Sequence, residues 1–424
     1  MAQRRRTAWA CLAASALIAC GCSSPSSGVA AADHRSPAPT TTTSAPVSTT
    51  TGPPSAVPTT VPAPVRAAPG WTEPLTALPP GGGFTSLSCL SDTFCIAAGG
   101  GTSGDPSELT TGSGVSESWD GAAWSEPSVY YPAPAGGPVT APVLPAVDCT
   151  SGPSCLIADG SGGVSEGNGT DWSDSMAMPA PPSMPPNPAD PGPGHPGSRS
   201  VAVSCPSPTF CAFVDNTGHT DELENGAWRA PQSFGTQGGA GATVSLYQAG
   251  RVGVSCPTTS ACTAVVGASV LVWDGSTWTD QPSPWTTSLV SGSADPTAIS
   301  CPTTSMCAIV NGTAVWMGDP GSSPSGGDTV DPGGGLDSIA CPTTTFCLAA
   351  DESGSVVTWN GTTWSARQPV LPSATEYPGM GTFVSCPNAQ FCMIMNGDGD
   401  YATYSGSEIQ SSVPSPGPGG APAG

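Results

Sequence analysis

Residues 254–278 have the sequence VSCPTTSACTAVVGASVLVWDGSTW, and variants of this stretch recur along the chain. Two cysteines are separated by five residues, an apolar segment adjoins each of them, and two tryptophans flank Asp274-Gly275. The short apolar runs and the turn residues predict four short strands, the last two joined at Asp274-Gly275. Because Asp-Gly and Asn-Gly favour two-residue hairpin turns with positive φ at both central residues, we expect such a turn here.

The chain contains seven copies of this cysteine pair. The first cysteines lie 40 to 60 residues apart, and the pairs are Cys89 with Cys95, Cys149 with Cys155, Cys205 with Cys211, Cys256 with Cys262, Cys301 with Cys307, Cys341 with Cys347 and Cys386 with Cys392. The tryptophan hairpin recurs at residues 119–124 and 359–364, has weaker copies at 225–228 and 404–406, and is most degenerate around Trp316. Since one four-strand sheet cannot bury both faces alone, the repeats predict an all-β, seven-bladed β-propeller. A β-solenoid or a string of small independent domains is the alternative.

The N-terminus has the features of a bacterial export signal. Arg4-Arg5-Arg6 precede the apolar segment Thr7–Ala19, which is too short to span a bilayer as a helix. Leu17-Ile18-Ala19-Cys20 resembles a lipobox, which implies that Cys20 becomes the acylated (palmitate-type) N-terminus; Cys22 is the alternative site. Cleavage without a lipid and twin-arginine export both stay open.

These features divide the chain into four predicted regions. Residues 1–19 are a signal peptide, and residues 20–70 are the lipid-anchor cysteine and a disordered linker rich in Pro, Thr and Ser. Few large apolar residues occur in this linker, so burial cannot offset the entropy of ordering it. The propeller occupies residues 71–410, and residues 411–424 form a disordered tail.

An exported chain folds in an oxidising compartment, so each cysteine pair is expected to form a disulfide between the first two strands of its blade. Zinc binding is the alternative, but zinc sites favour shorter cysteine spacings, and the chain has only three histidines. Trp71-Thr72-Glu73-Pro74 is similar to a fourth strand and is predicted to complete the last blade in place of Ser407–Gln410.

The two faces of such a propeller should differ. The cysteine turns and the Asx-Gly turns are expected together on one face. The opposite face carries the second-to-third strand turns and the blade connections, with long insertions at Gly99–Thr111, Ser128–Pro145, Ser175–Gly197 and Gln232–Gly250. Because binding usually resides in variable loops on a rigid scaffold, this loop-rich face is the predicted binding face; tolerated insertions without a ligand are the alternative.

The pattern Ser-Cys-Pro-x4-Cys followed by Trp-Asx-Gly-x2-Trp resembles a family of repeat proteins common among exported actinobacterial proteins, over about residues 71–410. The hairpin is also distantly similar to the Asp-box of sialidase-like propellers, although Asp274 and Gly275 are adjacent where the Asp-box has an intervening residue. A sialidase-like glycan hydrolase is therefore the alternative function. Such an enzyme needs an arginine cluster, and the arginines of the repeats do not occupy equivalent positions, so no catalysis is expected; they are Arg199, Arg229, Arg251 and Arg367.

Two polar groups are candidate metal sites. Asn396, Asp398 and Asp400 alternate as oxygen ligands do in calcium loops, with a simple Gly-rich turn as the alternative; no other cofactor is expected. The second group surrounds a histidine, and an exposed polar hairpin is its preferred interpretation; its members are His219, Asp221, Glu222 and Glu224.

The paired tryptophans are expected in the core. Three aromatic residues in predicted connections are candidates for ligand contact, namely Tyr130, Tyr131 and Trp285.

Charge limits the partners. The chain has 31 acidic and nine basic residues and a net charge of −22, which disfavours nucleic acid and leaves the lipid anchor as the only expected membrane contact. We therefore predict a monomeric lipoprotein on the outer face of the bacterial cytoplasmic membrane, or otherwise a secreted protein. It would bind or scaffold a protein or glycan of the cell envelope.

Overall fold

The computed structural model describes residues 70–77, 82–101, 114–131, 145–150, 154–159, 162–179, 201–216, 218–234, 252–266, 269–281, 297–321, 327–331, 334–375 and 381–406. These residues form β-strands and turns, and none of them is helical. Accordingly, this part of the chain contains no helix of the length and apolarity that crossing a membrane requires.

The strands are short and follow one another closely. In chain order they are β1 Leu75–Thr76, β2 Gly82–Ser91, β3 Phe94–Gly101, β4 Gly114–Trp119, β5 Ser128–Tyr131, β6 Ala146–Thr150, β7 Ser154–Ala158, β8 Gly163–Gly167, β9 Met176–Ala177, β10 Val201–Ser207, β11 Phe210–Asp215, β12 His219–Glu224, β13 Ala227–Trp228, β14 Gln232–Ser233, β15 Val252–Thr258, β16 Ala261–Val266, β17 Ser269–Trp273, β18 Trp278–Gln281, β19 Ala298–Thr303, β20 Met306–Asn311, β21 Ala314–Gly318, β22 Asp328–Thr329, β23 Leu336–Thr343, β24 Phe346–Asp351, β25 Ser355–Trp359, β26 Gln368–Pro369, β27 Thr382–Asn388, β28 Phe391–Asn396 and β29 Asp400–Tyr404.

The strands form seven antiparallel sheets. Blades 1 and 2 are β2–β5 and β6–β9, and blade 3 is β10–β14, in which β13 and β14 both pair with β12. Blades 4 to 6 are β15–β18, β19–β22 and β23–β26, and blade 7 has the order β1-β29-β28-β27. The first strand of each blade contacts that of the next, and β27 contacts β2, so the seven sheets close into a ring. This arrangement is a seven-bladed β-propeller, and it rules out the solenoid.

A belt of side-chain oxygens joins neighbouring blades near the axis. The residue before the first cysteine of a blade accepts a hydrogen bond from the backbone N–H of the first cysteine in the next blade, at 2.6–3.1 Å in six blades. The belt residues are Ser88, Asp148, Ser204, Ser255, Ser300 and Ser385, with Ala340 at the seventh position. The serine of the Ser-Cys-Pro pattern therefore has a structural role in linking the blades.

All seven cysteine pairs form disulfides between the first and second strands of their blades, as predicted. In the five blades where proline follows the first cysteine, the strand register shifts at that point. In blade 3, for example, Cys205 and Pro206 together lie opposite Cys211. Since proline cannot donate to the ladder, a bulge is where a strand tolerates it.

The second cysteine of each pair is a core residue. It opens the second strand of its blade, which lies between the first and third strands and is covered by neighbouring blades on both faces. In blades 1, 4, 5, 6 and 7 these cysteines are no more than 1% exposed, and they are Cys95, Cys262, Cys307, Cys347 and Cys392. No ligand can reach them, so these predicted site residues are structural cross-links and not parts of a binding site. The sequence predicted the disulfides but not this burial.

The two remaining second cysteines are buried as well, at 1% for Cys155 and 6% for Cys211, but both border a small pocket between blades 2 and 3. Their disulfides with Cys149 and Cys205 have the same strand-to-strand placement as the other five. The pocket therefore arises from the side chains around these two disulfides and not from a different placement of the disulfides.

The cysteine turns and the Asx-Gly turns lie together, as predicted for one face. The first tryptophan of each clear hairpin donates its indole N–H to a carbonyl in the cysteine turn of its own blade, as Trp119 does to Asp92 at 3.0 Å and Trp273 to Thr259 at 3.2 Å. A Cβ on Gly121 would lie 2.9 Å from the Thr93 side chain, which shows how closely the two turns approach. We call this side of the ring the cysteine-turn face.

The predicted geometry of the hairpin turn is wrong in three blades. Trp119 pairs with Trp124 across four residues, and Asp120 Oδ1 accepts the N–H groups of Ala122 and Ala123 at 2.9 and 2.8 Å. The same side-chain cap forms at two other hairpins, on Asp274 and Asn360. The side-chain oxygen stabilises a four-residue turn in which only the glycine after the Asp or Asn has positive φ, whereas a two-residue turn would need positive φ at both residues.

The expected two-residue turn occurs in blade 3. Asn225 and Gly226 have φ values of 53° and 77°, and Glu224 pairs with Ala227 across them. Blade 2 has a further capped hairpin that was not among the predicted copies: Asn168 caps a turn across which Gly167 pairs with Trp172. This copy was not recognised in the sequence because Gly167 replaces the first tryptophan of the pattern.

The N-terminal segment closes the ring, as predicted. Strand β1 pairs with β29, and Trp71 pairs with Tyr404 just as Trp124 pairs with Trp119 in blade 1. Trp71 is 3% exposed and packs with Leu348 and Val370 of blade 6. Blade 7 thus combines three strands from the end of the repeat region with one from its beginning; residues 407–410 lie outside the described part.

Candidate functional site

The loop-rich face is built on turns that buried Asx side chains hold in place. The fourth residue after the second cysteine is Asp or Asn in five blades, at Asp159, Asp215, Asn311, Asp351 and Asn396. In four of them Oδ1 accepts the backbone N–H of the residue four positions later, at 2.8–3.0 Å. This shared position was not predicted from the sequence, although its constant spacing from the second cysteine was a usable signal. These bonds make the second-to-third strand turns well-defined supports for the loops.

The strongest charged cluster described on this face joins blades 5 and 6. Arg367 Nε lies 2.6 Å from Asp351 Oδ2 and 3.4 Å from Asp331 Oδ1, and the guanidinium also donates to the Ser353 hydroxyl. Both carboxylate side chains are 1% exposed, whereas the arginine side chain is 38% exposed. A Cβ on Gly334 would lie 2.5 Å from Asp331 Oδ2 and 2.7 Å from Asp351 Oδ2, so the carboxylates converge beneath this glycine.

The protonation of this cluster follows from its hydrogen bonds. Burial alone would raise the pKa of Asp351, but hydrogen bonds from Ser355, Ser353 and Arg367, and one with Asp331, lower it below its ordinary value. Asp351 is therefore ionised at neutral pH and does not serve as a proton donor. Two converging carboxylates with one arginine also do not flank an open cleft, as the acids of a glycoside hydrolase do.

The calcium candidate lies at the second-to-third strand turn of blade 7. Asn396 is 1% exposed, its Oδ1 accepts the N–H groups of Asp398 and Asp400 at 3.0 and 2.9 Å, and its Nδ2 donates to Pro372 O. Asp398 Oδ2 accepts the Thr375 N–H at 2.5 Å, and Asp400 Oδ1 accepts the Thr76 hydroxyl at 2.7 Å. A calcium ion would compete with these hydrogen bonds, and calcium binding here stays a prediction.

The interpretation of residues 219–224 as an exposed polar hairpin is wrong. They form β12, the third strand of blade 3, and His219, Asp221 and Glu222 are all buried. Because strand side chains alternate, Glu222 points away from the side that His219 and Asp221 share. Glu222 Oε1 accepts the indole N–H of Trp278 in blade 4 at 2.5 Å, and His219 Nδ1 lies 3.4 Å from Asp215. Glu222 thus links blade 3 to blade 4, whereas His219 contacts an aspartate of its own blade. Across the described ranges, no three or more His, Cys, Asp or Glu side chains gather in a group that could hold a metal.

The paired tryptophans pack in or against the core, as predicted. Trp119, Trp273 and Trp278 are buried, and Trp124, Trp359 and Trp364 are partly buried against core clusters. Tyr130 is not a ligand contact, because it belongs to β5, is 4% exposed and packs against Trp172. Residues 128–131 form this strand, although they were predicted to begin the insertion Ser128–Pro145.

The remaining ionisable groups are dispersed. Arg229 lies over the ring of Trp273 near the cysteine-turn face, on the opposite face of the ring from Arg367.

Burial raises the pKa of Glu117 to about 8, and neither of its carboxylate oxygens has a hydrogen-bond partner within the described structure. Glu117 pairs with Ala97, on the side of blade 1 that packs against blade 7. Burial also raises the pKa of Asp148, in the belt, to about 6.

Several predicted features lie outside the described residues. They are the signal peptide, Cys20, Cys22, the linker, the C-terminal tail, Arg199, Arg251, Trp285 and most of the four insertions; Tyr131 is described only in its backbone.

Comparisons with known proteins identify the fold class. No protein-family model and no curated protein matches the chain. A structure of YCF48 bound to D1 peptide is 15% identical with a TM-score of 0.50, covering 81% of this chain and 99% of that one. YCF48 from Cyanidioschyzon merolae is 17% identical with a TM-score of 0.50, covering 79% and 98%. A chain from the crystal structure of the Mitotic Checkpoint Complex is 13% identical with a TM-score of 0.53, covering 82% and 98%.

These similarities agree with the closed ring of seven sheets, and at such low identity they establish the fold alone. The chain is a seven-bladed β-propeller whose blades each carry one disulfide. Membership of the actinobacterial repeat family and kinship with sialidase-like propellers stay predictions.

Proposed function

We propose that the chain is a non-catalytic propeller that binds a partner protein through its loop-rich face. The cluster of Asp331, Asp351 and Arg367 carries this proposal. One half-exposed guanidinium sits above two buried carboxylates, so the site presents hydrogen-bond donors at the surface within an acidic surrounding. The guanidinium donors suit backbone carbonyl groups of a partner, while the net negative charge of the cluster and the exposed Glu352 beside it suit basic side chains around those carbonyls.

The Asx-capped turns that carry the loop-rich face favour partner binding rather than catalysis. Because Asx side chains already fix the second-to-third turns, a partner need not order them, which lowers the entropic cost of association. The net charge of −22 would also speed encounters with a basic partner. Two of the similar structures are YCF48 bound to D1 peptide and the Mitotic Checkpoint Complex, which supports a protein partner.

A charge-reversal experiment tests this proposal. The full chain is applied to an array of synthetic basic and acidic peptides without aromatic residues, at low and high salt. Glu352→Lys reverses an exposed charge beside Asp351, and Asp92→Lys makes the same change on the cysteine-turn face. We expect salt-sensitive binding of basic peptides that Glu352→Lys weakens at least tenfold and Asp92→Lys largely retains. Equal effects of the two changes would contradict a loop-face site.

A glycan of the cell envelope is the second partner class from the sequence. An array of such glycans, probed with and without a calcium chelator, separates the two classes. We expect no selective glycan binding. Selective binding that the chelator abolishes would overturn the protein-partner proposal and assign Asn396, Asp398 and Asp400 to a calcium-dependent lectin site.

We also propose export and lipid anchoring at Cys20 on the outer face of the cytoplasmic membrane. The seven disulfides support export, because such bonds persist in oxidising compartments. Labelling cells with an alkyne-tagged fatty acid tests the anchor. Cys20→Ser should abolish the label and Cys22→Ser should keep it; the reverse result would move the lipid to Cys22, and label on neither wild type nor variants would refute anchoring.

A further inference from the structure

In each blade, one residue of the third strand pairs with the second cysteine. This position lies in the space between that blade and the preceding one. Trp273 of blade 4 packs on Phe210 of blade 3 with ring centroids 6.2 Å apart, and Tyr404 of blade 7 stacks on Phe346 of blade 6 at 5.8 Å. Around the ring this position holds Trp119, Gly167, Leu223, Trp273, Gly318, Trp359 and Tyr404.

The two glycines at this position leave no gap. A Cβ on Gly167 would lie 2.5 Å from the ring of Trp172, and one on Gly318 would lie 2.9 Å from the ring of Trp316. In both blades a tryptophan from elsewhere in the same sheet therefore covers the position. This also explains Trp316, which lies in the middle of its strand rather than at a hairpin.

The interface between blades 2 and 3 lacks such a filling group. Blade 3 has Leu223 at the position, and the residue before the second cysteine of blade 2 is Ser154, whereas blades 1, 3, 6 and 7 have a phenylalanine there. The tryptophan of the blade 3 hairpin, Trp228, packs instead on Phe213 at 5.2 Å. A serine and a leucine thus meet where an aromatic pair, Phe210 and Trp273, fills the equivalent space between blades 3 and 4.

A pocket opens at this place on the cysteine-turn face. Its volume is about 50 Å³, room for about four water molecules at the roughly 10–15 Å³ that each needs. Buried Leu156, Leu223 and Phe210 line its floor, and exposed Ser154, Thr209 and Glu166 line its rim. The size suits one side chain rather than a larger ligand.

We propose that this pocket receives one aromatic side chain from a basic segment of a partner protein. The aromatic ring would occupy the space that Trp273 fills in the next interface, between the apolar floor and the two disulfides that border it. Glu166 at the rim, on a chain with a net charge of −22, complements an arginine or lysine beside that ring. Anchoring by one buried aromatic residue is how protein interfaces commonly concentrate their binding energy.

Saturation-transfer NMR on the full chain tests the pocket, with acetyl-Arg-Trp-Arg-amide as the probe and acetyl-Glu-Trp-Glu-amide as its charge control. We expect the arginine peptide to receive saturation at its indole protons and the glutamate peptide to receive much less. Leu223→Trp fills the pocket with the residue of the equivalent positions and should reduce binding at least tenfold. Glu166→Gln should reduce the preference for the arginine peptide.

Two further variants secure the interpretation if Leu223→Trp fails to fold. Ser154→Phe fills the pocket from blade 2, with the residue that blades 1, 3, 6 and 7 carry, and should also abolish binding. Met306→Phe makes the corresponding change in blade 5, where Trp359 already fills the interface, and should have no effect. Unchanged binding after a folded pocket-filling variant, or no binding to the wild type, would overturn the proposal. Glu352→Lys should leave this binding intact, which separates the pocket from the loop-rich face.

Discussion

Replacing Trp71 by alanine should loosen the closure of the propeller. Trp71 is 3% exposed and lies in the cluster that joins blades 6 and 7. Its neighbours bind blade 7 through the backbone: the Thr72 N–H donates to Thr403 O at 2.9 Å, and the Ala77 N–H donates to Gly399 O at 2.9 Å. The side chain therefore anchors the strand through which the two ends of the repeat region meet.

The magnitude follows from burial. Truncating a buried tryptophan to alanine costs about 3–5 kcal/mol. With an unfolding entropy of about 2.1 cal/mol/K per residue, a propeller of roughly 340 residues should lose about 4–7 °C in Tm. Leu75→Ala removes a side chain of the same strand that is 55% exposed, so its Tm should stay within about 1 °C of the wild type.

Differential scanning calorimetry of the oxidised full chain measures both variants. Trp71→Ala should lower the Tm while Leu75→Ala does not. A Trp71→Ala variant that melts with the wild type would refute closure by this strand and would indicate that residues after Tyr404 complete blade 7.

Three further predictions concern groups inside the blades. Ser300→Ala removes the acceptor of the Cys341 N–H at 2.9 Å and should cost about 1 kcal/mol in urea unfolding, whereas Ala340→Ser should stabilise by a similar amount by completing the belt. Glu117→Gln should change the pH dependence: the folded pKa of about 8 exceeds the ordinary value of 4.5, so the native state binds more protons and wild-type stability falls as pH rises from about 4.5 to 8. The variant should lose this fall. A disulfide reductant should lower the Tm, because each small ring contributes up to about 2 kcal/mol.

Each of these has a contrary outcome. No loss of stability in Ser300→Ala would show that the belt bond is replaced by water. A wild-type Tm that is flat or rising between pH 5 and 8, measured beside Glu352→Gln as an exposed control, would mean that the Glu117 carboxyl is solvated. An unchanged Tm under conditions in which thiol titration shows full reduction would remove the disulfides from the account of stability.

The repeat of the cysteine pairs was sufficient to predict the fold. Seven pairs with the same internal spacing, at intervals of 40 to 60 residues, indicate seven equivalent units. The resemblance of the Trp71 segment to a fourth strand was sufficient to predict how the ring closes. These features depend on local sequence that recurs, so one clear copy helps to interpret the weaker ones.

Other features depended on the register between strands, which the sequence does not display. The segment His219–Glu224 contains four ionisable residues in a row of six and suggested an exposed hairpin, yet the structure buries it between two blades. The Asp274 turn was misassigned because its side-chain cap offers an alternative to the positive φ that a two-residue turn demands. The acidic cluster around Arg367 joins residues from two blades and became visible only in three dimensions.

The central claim is that a partner protein binds the loop-rich face, and photo-crosslinking in the native host cell tests it most directly. A photo-reactive amino acid is placed at Glu352, exposed at the second-to-third strand turn of blade 6, and at Ala122, exposed in a hairpin on the cysteine-turn face. The account predicts a discrete protein adduct from position 352, competed by high salt, that position 122 does not form. Crosslinks to the same protein from both positions, or none from position 352, would contradict it.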